Sequence, residues 1–178
     1  LDGKQILLRC PWPISGEKPE EVSLTEEEAC DAAVTLYQEE NTALHLLPKA
    51  LTLGVGCRKG TSQAALENAY AALLAEQNFA PEAFVQAASI DLKANEPGLL
   101  AFCTAHGWEL KTYSAEELSK LPGDFTPSPF VAQITGVDNV CERAAVRASG
   151  GHLIQKKWKG TGVTFAVALA PVHFDWRW

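Results

Sequence analysis

Apolar and polar positions along this 178-residue chain follow two rhythms in turn. Residues 50–55, 84–90, 109–113, 152–157 and 163–169 are short runs rich in apolar and β-branched side chains, bounded by Gly, Pro or polar residues. That pattern predicts β-strands. Between them the spacing becomes helical. Leu66, Ala69, Tyr70, Leu73 and Leu74 recur on one face after Ser62, which predicts a helix packed on a core. Leu99, Leu100, Phe102 and Cys103 follow Pro97, a residue suited to a first helical turn, and the pattern stops at Gly107. Ser114-Ala-Glu-Glu117 is a capping box that opens a short helix ending at Pro122. Thr126 to Pro129 reads as a loop. Val137, Val140, Cys141, Ala144, Ala145 and Ala148 mark one more helix, with Gly150 and Gly151 as its stop. Lys159-Gly-Thr-Gly162 joins the last two strands as a hairpin. The predicted fold class is α/β, a layered sandwich with a mixed, mainly parallel sheet and a C-terminal β-hairpin.

The first 48 residues read differently. Residues 5–9 form a short strand pattern, and a loop with Pro11, Pro13, Gly16 and Pro19 follows. Thr25-Glu-Glu-Glu28 then resembles a capping box, which predicts a helix over 29–39. Ten of the 22 acidic residues but only four of the 15 basic ones fall in the first fifty positions. This shift in composition predicts a boundary near Pro48, with an acidic extension over 1–48 and the main domain over 49–178. The net charge of −7 resides in that extension, and the main body is near neutral with local basic clusters. No basic stripe of the kind that binds nucleic acid is present. The longest apolar run, 165–172, is too short to span a bilayer. The start at Leu1 and the lack of methionine suggest a fragment. Cys10, Cys30, Cys57, Cys103 and Cys141 are scattered, odd in number and without CxxC spacing, which fits reduced thiols in the cytoplasm. His45, His106, His152 and His173 lack metal-ligand spacing, so no protein-held metal is expected.

The stretch Gly54-Val-Gly-Cys-Arg-Lys-Gly-Thr61 lies between a predicted strand and a predicted helix. Glycines let the backbone approach a ligand, and a helix start favours an anion. Arg58 and Lys59 add positive charge at that point. The stretch therefore reads either as a carboxylate or phosphate cradle or as a plain strand-to-helix turn. Two nucleotide motifs fail. The order Lys59-Gly60-Thr61 misplaces the lysine of a Walker A loop, and Gly60 comes one residue late for a dinucleotide fingerprint.

The combination is more specific than its parts. Gly54 to Ser62 is followed by Ser89-Ile-Asp-Leu-Lys-Ala-Asn-Glu-Pro-Gly-Leu99, then Tyr113-Ser-Ala-Glu-Glu-Leu118 and Gly162-Val-Thr-Phe-Ala-Val-Ala168. Residues 49–170 thereby resemble the C-terminal domain of the CbiG family, the cobalt-precorrin-5A hydrolases of anaerobic cobalamin (vitamin B12) synthesis. CobE, of the aerobic route, resembles the same domain standing alone. Residues 1–48 resemble, more weakly, the end of the central region preceding that domain. The resemblance implies hydrolysis of the ring-A lactone of cobalt-precorrin-5A, a polycarboxylate tetrapyrrole, to cobalt-precorrin-5B with release of acetaldehyde. It implies no cofactor, since cobalt travels with the substrate. Other cobalamin-pathway enzymes are implied partners, and a homodimer is the default oligomer. The alternative is a CobE-like module that holds or delivers a corrinoid intermediate without turning it over.

On that reading the substrate-binding candidates are Gly54, Gly56, Cys57, Arg58, Lys59, Gly60 and Thr61 on the loop, with Lys156, Lys157 and Lys159 on the hairpin. The catalytic candidates are Asp91 or Glu96, to activate water, and Lys93, to stabilise the oxyanion. Each has a plainer alternative. Asp91 binds backbone N–H groups or pairs with Lys93, and Glu96 marks a helix start. Cys57 is a nucleophile or, with no His nearby in sequence, a small turn residue. The three lysines are a solvated hairpin tip, and Trp158 either stacks on a macrocycle or packs on the sheet.

Overall fold

The structure is a computed structural model that describes residues 4–40 and 43–177. In chain order its strands are β1 (Ile6–Arg9), β2 (Ile14–Ser15), β3 (Val22–Leu24), β4 (Ala32–Val34), β5 (Leu44–Leu46), β6 (Leu51–Cys57), β7 (Phe84–Ile90), β8 (Glu109–Tyr113), β9 (His152–Lys159), β10 (Val163–Leu169) and β11 (Phe174–Asp175). The α-helices are α1 (Gln63–Gln77), α2 (Pro97–Ala105), α3 (Ala115–Ser119), α4 (Pro129–Thr135) and α5 (Cys141–Ser149). Among the described residues, no helix is long and apolar enough to cross a membrane.

The larger sheet has the order β8-β7-β6-β10-β9. Strands β6, β7 and β8 run parallel, and β10 enters antiparallel to β6, with β9 folded back on it. This is the mixed sheet with a closing hairpin that the sequence pattern predicts. The two-residue period of the strands sorts side chains by face. Leu53, Val55, Val163, Phe165 and Val167 point to one side, where they meet Leu66, Tyr70, Leu73, Leu99 and Phe102 from α1 and α2. Ala88 and Ile90 of β7 point to the other side, where Ala144 of α5 and Leu118 of α3 cover them. Gly54 faces α5 so closely that a Cβ there would lie 1.9 Å from the Cys141 carbonyl oxygen. Leu66 and Leu73 are fully buried, and each such burial is worth roughly 1.5–3 kcal/mol. Leu100, expected in the core, is exposed on the outer side of α2.

The helix starts follow local chemistry. Ser62 Oγ accepts the Ala65 N–H at the start of α1, and the chain leaves α1 through Asn78 in the left-handed region. Ser114 and Glu117 form the expected capping box at α3.

Two expectations change. The expected helix over 29–39 is absent, because Thr25 Oγ1 accepts the Glu27 N–H in a local turn instead of capping a helix. The following Ala-Ala-Val-Thr-Leu stretch carries β-branched side chains, and β4 inserts between β1 and β5 in a four-stranded parallel sheet of order β3-β1-β4-β5. Tertiary pairing overrides a weak helical propensity here. The helix expected from Val137 starts later, at Cys141, and a further helix that the sequence pattern did not mark precedes it. Pro129 starts α4 and Gly136, at φ +75°, ends it. Val137 and Val140 lie in the connection to α5 and are buried there.

The two sheets are fastened together. The Ala80 N–H donates to the Leu36 carbonyl, and Gln38 N–H to that of Asn78. Strand β11 pairs in parallel with β2, tying residues 174–175 to 14–15.

Candidate functional site

Parallel strands direct their carboxyl ends to one sheet edge, where α/β proteins bind ligands. Here the edge carries the glycine loop after β6 and the 91–96 segment after β7. The antiparallel hairpin places the end of β9 and the start of β10 at the same edge, since Val163 lies opposite Cys57. A cleft of about 960 Å³ opens there. Its other wall is α4 with the 126–129 segment leading into it.

The glycine loop is held from both sides. Thr164 Oγ1 donates to the Gly56 carbonyl at 3.2 Å, and Arg58 N–H donates to the Gly162 carbonyl at 3.4 Å. A Cβ on Gly56 would sit 2.5 Å from Thr164 Oγ1. Gly60, at φ +75°, turns its N–H to Glu96 Oε2 at 2.9 Å, while Lys93 Nζ donates to Glu96 Oε1 at 2.9 Å. The Gly60 N–H, aided by Lys93, holds the Glu96 carboxyl below the usual glutamate range. A carboxylate so stabilised is a weak base. Glu96 therefore acts here as a clamp on the loop and a partner for Lys93.

The structure brings Gly56, Cys57, Arg58, Lys59, Lys93, Glu96 and Lys157 of the expected residues to the cleft, together with Lys159. The others lie off it for identifiable reasons. Gly54 is consumed by packing on α5. The Gly60 N–H belongs to Glu96, and Thr61 Oγ1 donates to the Arg58 carbonyl. Asp91 Oδ1 accepts the N–H of its neighbour Leu92 at 2.7 Å, the plainer of its two expected roles. Lys156 Nζ pairs with Asp124 at 2.7 Å. Trp158 stacks on Phe165 and donates Nε1–H to Glu76 Oε2, so it packs on the sheet.

Charge in the cleft is one-sided. Arg58, Lys59, Lys93, Lys157 and Lys159 line it against a single carboxylate, Glu96. Among the described residues, Lys93 alone of these cations has an ion-pair partner. Cys57 and Cys141 also reach the lining. Burial pushes both thiols up, Cys141 to about 11, and neither is poised as a thiolate nucleophile.

Several residues at the site were missed in the sequence. Glu142 is fully buried, and its carboxylate accepts the Lys157 N–H at 2.6 Å and the Thr126 N–H at 2.8 Å. It joins the two walls of the cleft. Asn139 supports it, accepting the Glu142 N–H at 2.8 Å and donating to the Thr126 carbonyl at 2.8 Å. The Asn139-x-x-Glu142 spacing is a helix-start signature that hints at the first contact. Nothing local signals the bonds to Thr126 and Lys157. Ser89, buried at the cleft floor, donates to the Val55 carbonyl.

Residues 51–168 match the family described as Cobalamin synthesis G C-terminus. Over 133 residues the chain is 38% identical to a cobalt-precorrin-5A hydrolase from Priestia megaterium, covering 74% of this chain and 35% of that protein. It is 33% identical over 125 residues to a cobalt-precorrin-5A hydrolase from Salmonella typhimurium, covering 70% and 36%. The chain thus spans about a third of the length of these curated relatives. Among solved structures it is similar to CobE, a protein of the cobalamin biosynthetic pathway. That likeness has TM-score 0.62 and 28% identity, covering 68% of this chain and 91% of CobE. A cobalamin biosynthesis protein G homologue from Sulfolobus solfataricus shares the fold at TM-score 0.57 and 19% identity, over 95% of this chain and 51% of that one. With a family match across most of its larger sheet and a cationic cleft at that sheet's edge, this chain belongs to the Cobalamin synthesis G C-terminus family.

Proposed function

We propose that this chain seats cobalt-precorrin-5A in the sheet-edge cleft, as the C-terminal part of a hydrolase that opens the ring-A lactone. Water adds to the lactone carbonyl and the ring C–O bond breaks, leaving a carboxylate and a free hydroxyl on the two-carbon unit. That hydroxyl loses its proton and becomes the carbonyl of acetaldehyde as the carbon–carbon bond to the macrocycle breaks, and the ring carbon keeps the electron pair and takes up a proton, giving cobalt-precorrin-5B. The observation that carries this reading is the one-sided charge of the cleft in an otherwise acidic chain. Carboxylates arrayed around a macrocycle require spaced cationic donors, and Arg58, Lys59, Lys157 and Lys159 supply four whose side chains have no ion-pair partner among the described residues. Cobalt enters with the substrate. Residues 49–178 form the binding unit, and 1–48 the close of a preceding region.

Of the three catalytic candidates, Lys93 is best placed to stabilise the lactone oxyanion, because it lines the cleft and its ammonium is held by Glu96. A second reading has its own support. The single carboxylate on the cleft wall has both oxygens engaged, and the chain is similar to CobE. On that reading the chain holds the intermediate and the attacking water is activated elsewhere. Incubation with cobalt-precorrin-5A and an assay for acetaldehyde separates the two. Release above background supports lactone hydrolysis by this chain. Tight binding without acetaldehyde supports the holding role, and failure to bind removes both.

A further inference from the structure

Large apolar side chains also stand exposed in the cleft. Leu92 is 62% exposed and Ile134 61%, and both line the cleft. Leu92 lies on the 3-10 turn Asp91–Lys93 after β7, and Ile134 on the last turn of α4. Pro127, Pro129 and Val131 extend that surface along the 126–135 segment. Val131 anchors α4 by packing on the cluster of Leu118, Val140 and Ala144.

Large apolar side chains standing in water gain free energy only when something apolar covers them. A small anion does not. A compact phosphate would instead need convergent backbone N–H groups, and Gly60 has already given its own to Glu96. The cleft thus pairs dispersed cations with an apolar surface. Glu142 sets their spacing, because its buried carboxylate bonds Thr126 on one wall and Lys157 on the other.

We propose that Leu92 and the 126–135 segment form an apolar plate that takes the ring body of the ligand. The cations of the cleft take its peripheral carboxylates. The cleft then selects amphipathic polycarboxylate macrocycles over small polyanions that lack an extended apolar body. This proposal rests on the tetrapyrrole reading above.

The test uses uroporphyrin, a tetrapyrrole with eight carboxylates, in fluorescence titrations, with benzene hexacarboxylate as competitor. Ile134→Gln and Leu92→Gln are each expected to weaken uroporphyrin binding about tenfold through lost apolar cover. Both side chains are exposed, so melting temperature and salt dependence should hold. Ile134→Leu should retain affinity, and benzene hexacarboxylate should compete poorly. If both Gln variants bind within twofold of the parent chain while Arg58→Ala binds weakly, the plate is overturned and the cationic seat stands. Efficient competition by benzene hexacarboxylate likewise overturns the plate. If the parent chain does not bind uroporphyrin, the tetrapyrrole reading falls and the plate falls with it.

Discussion

Arg58 and Glu96 sit a few residues' reach apart yet have opposite duties. Arg58 is exposed on the cleft rim, and its guanidinium has no ion-pair partner among the described residues. Arg58→Ala should therefore cost ligand affinity and little stability. A lost charged hydrogen bond predicts about 1.5–3 kcal/mol, which calorimetric titration with the tetrapyrrole would read as a tenfold or greater rise in Kd. Unchanged affinity would remove Arg58 from the seat. Glu96, by contrast, serves the fold. Its folded-state pKa lies below the ordinary glutamate value of ~4.3, so the stability it contributes is fully present above that value. That stability is lost as pH falls through the lower, folded-state value. Glu96→Gln should flatten the acid limb of the stability curve. Urea midpoints at neutral pH and near the glutamate range check this, and an acid limb as steep as the parent's would refute it.

The strands and helices tell apart two kinds of glycine. At Gly54 an added methyl meets the backbone of α5, with Cys141 C at 2.8 Å and Ala145 Cβ at 2.9 Å. Gly54→Ala should push β6 and α5 apart at the upper end of, or beyond, the ~1–3 kcal/mol usual for overpacking. At Gly60 the space is open and only the positive φ resists, so Gly60→Ala should cost on the order of 1–2 kcal/mol. Equal losses in denaturant unfolding would contradict the close approach of α5. These element contacts also show what a linear pattern conveys. Phe84 to Ile90 and Glu109 to Tyr113 were legible because each strand is one uninterrupted run with clear stops. The 25–39 stretch misled because Thr25 and its glutamates satisfy a helix rule locally. Its fate is decided instead by pairing with β1 and β5. The cationic loop was legible as a motif. The Glu142 link was not, because it joins positions 126, 142 and 157 through two backbone N–H groups that carry no residue identity.

Across the whole molecule, charge separates from composition. In an acidic chain, four cations without an ion-pair partner among the described residues gather at one sheet edge, so the local field guides anions to the cleft. Because these cations are solvent-facing, tetrapyrrole affinity should fall steeply as salt rises past physiological strength, where the Debye length drops below ~8 Å. A flat salt profile would argue against charge-led binding. The division of labour between the sheets gives another expectation. Every lining residue of the cleft lies between positions 56 and 164. A chain of residues 49–178 should therefore bind the tetrapyrrole within about twofold of the full chain. It should melt earlier, because Leu36 covers the same core as Phe79 and such burial is worth about 1.5–3 kcal/mol.

The short ladder between β2 and β11 has a topological consequence. Trp176 N–H donates to the Ser15 carbonyl at 2.9 Å, and Phe174 lies in register with Ile14. Two segments far apart in sequence are thus joined edge to edge, and the polypeptide between them becomes a closed loop without a covalent bond. Closing so long a loop carries an entropic cost that grows only slowly with its length. A few hydrogen bonds and the Trp12–Phe174 ring contact therefore hold it shut. Opening this ladder frees both segments at once, so their amides should exchange with deuterium as a single cooperative unit, ahead of the central strands.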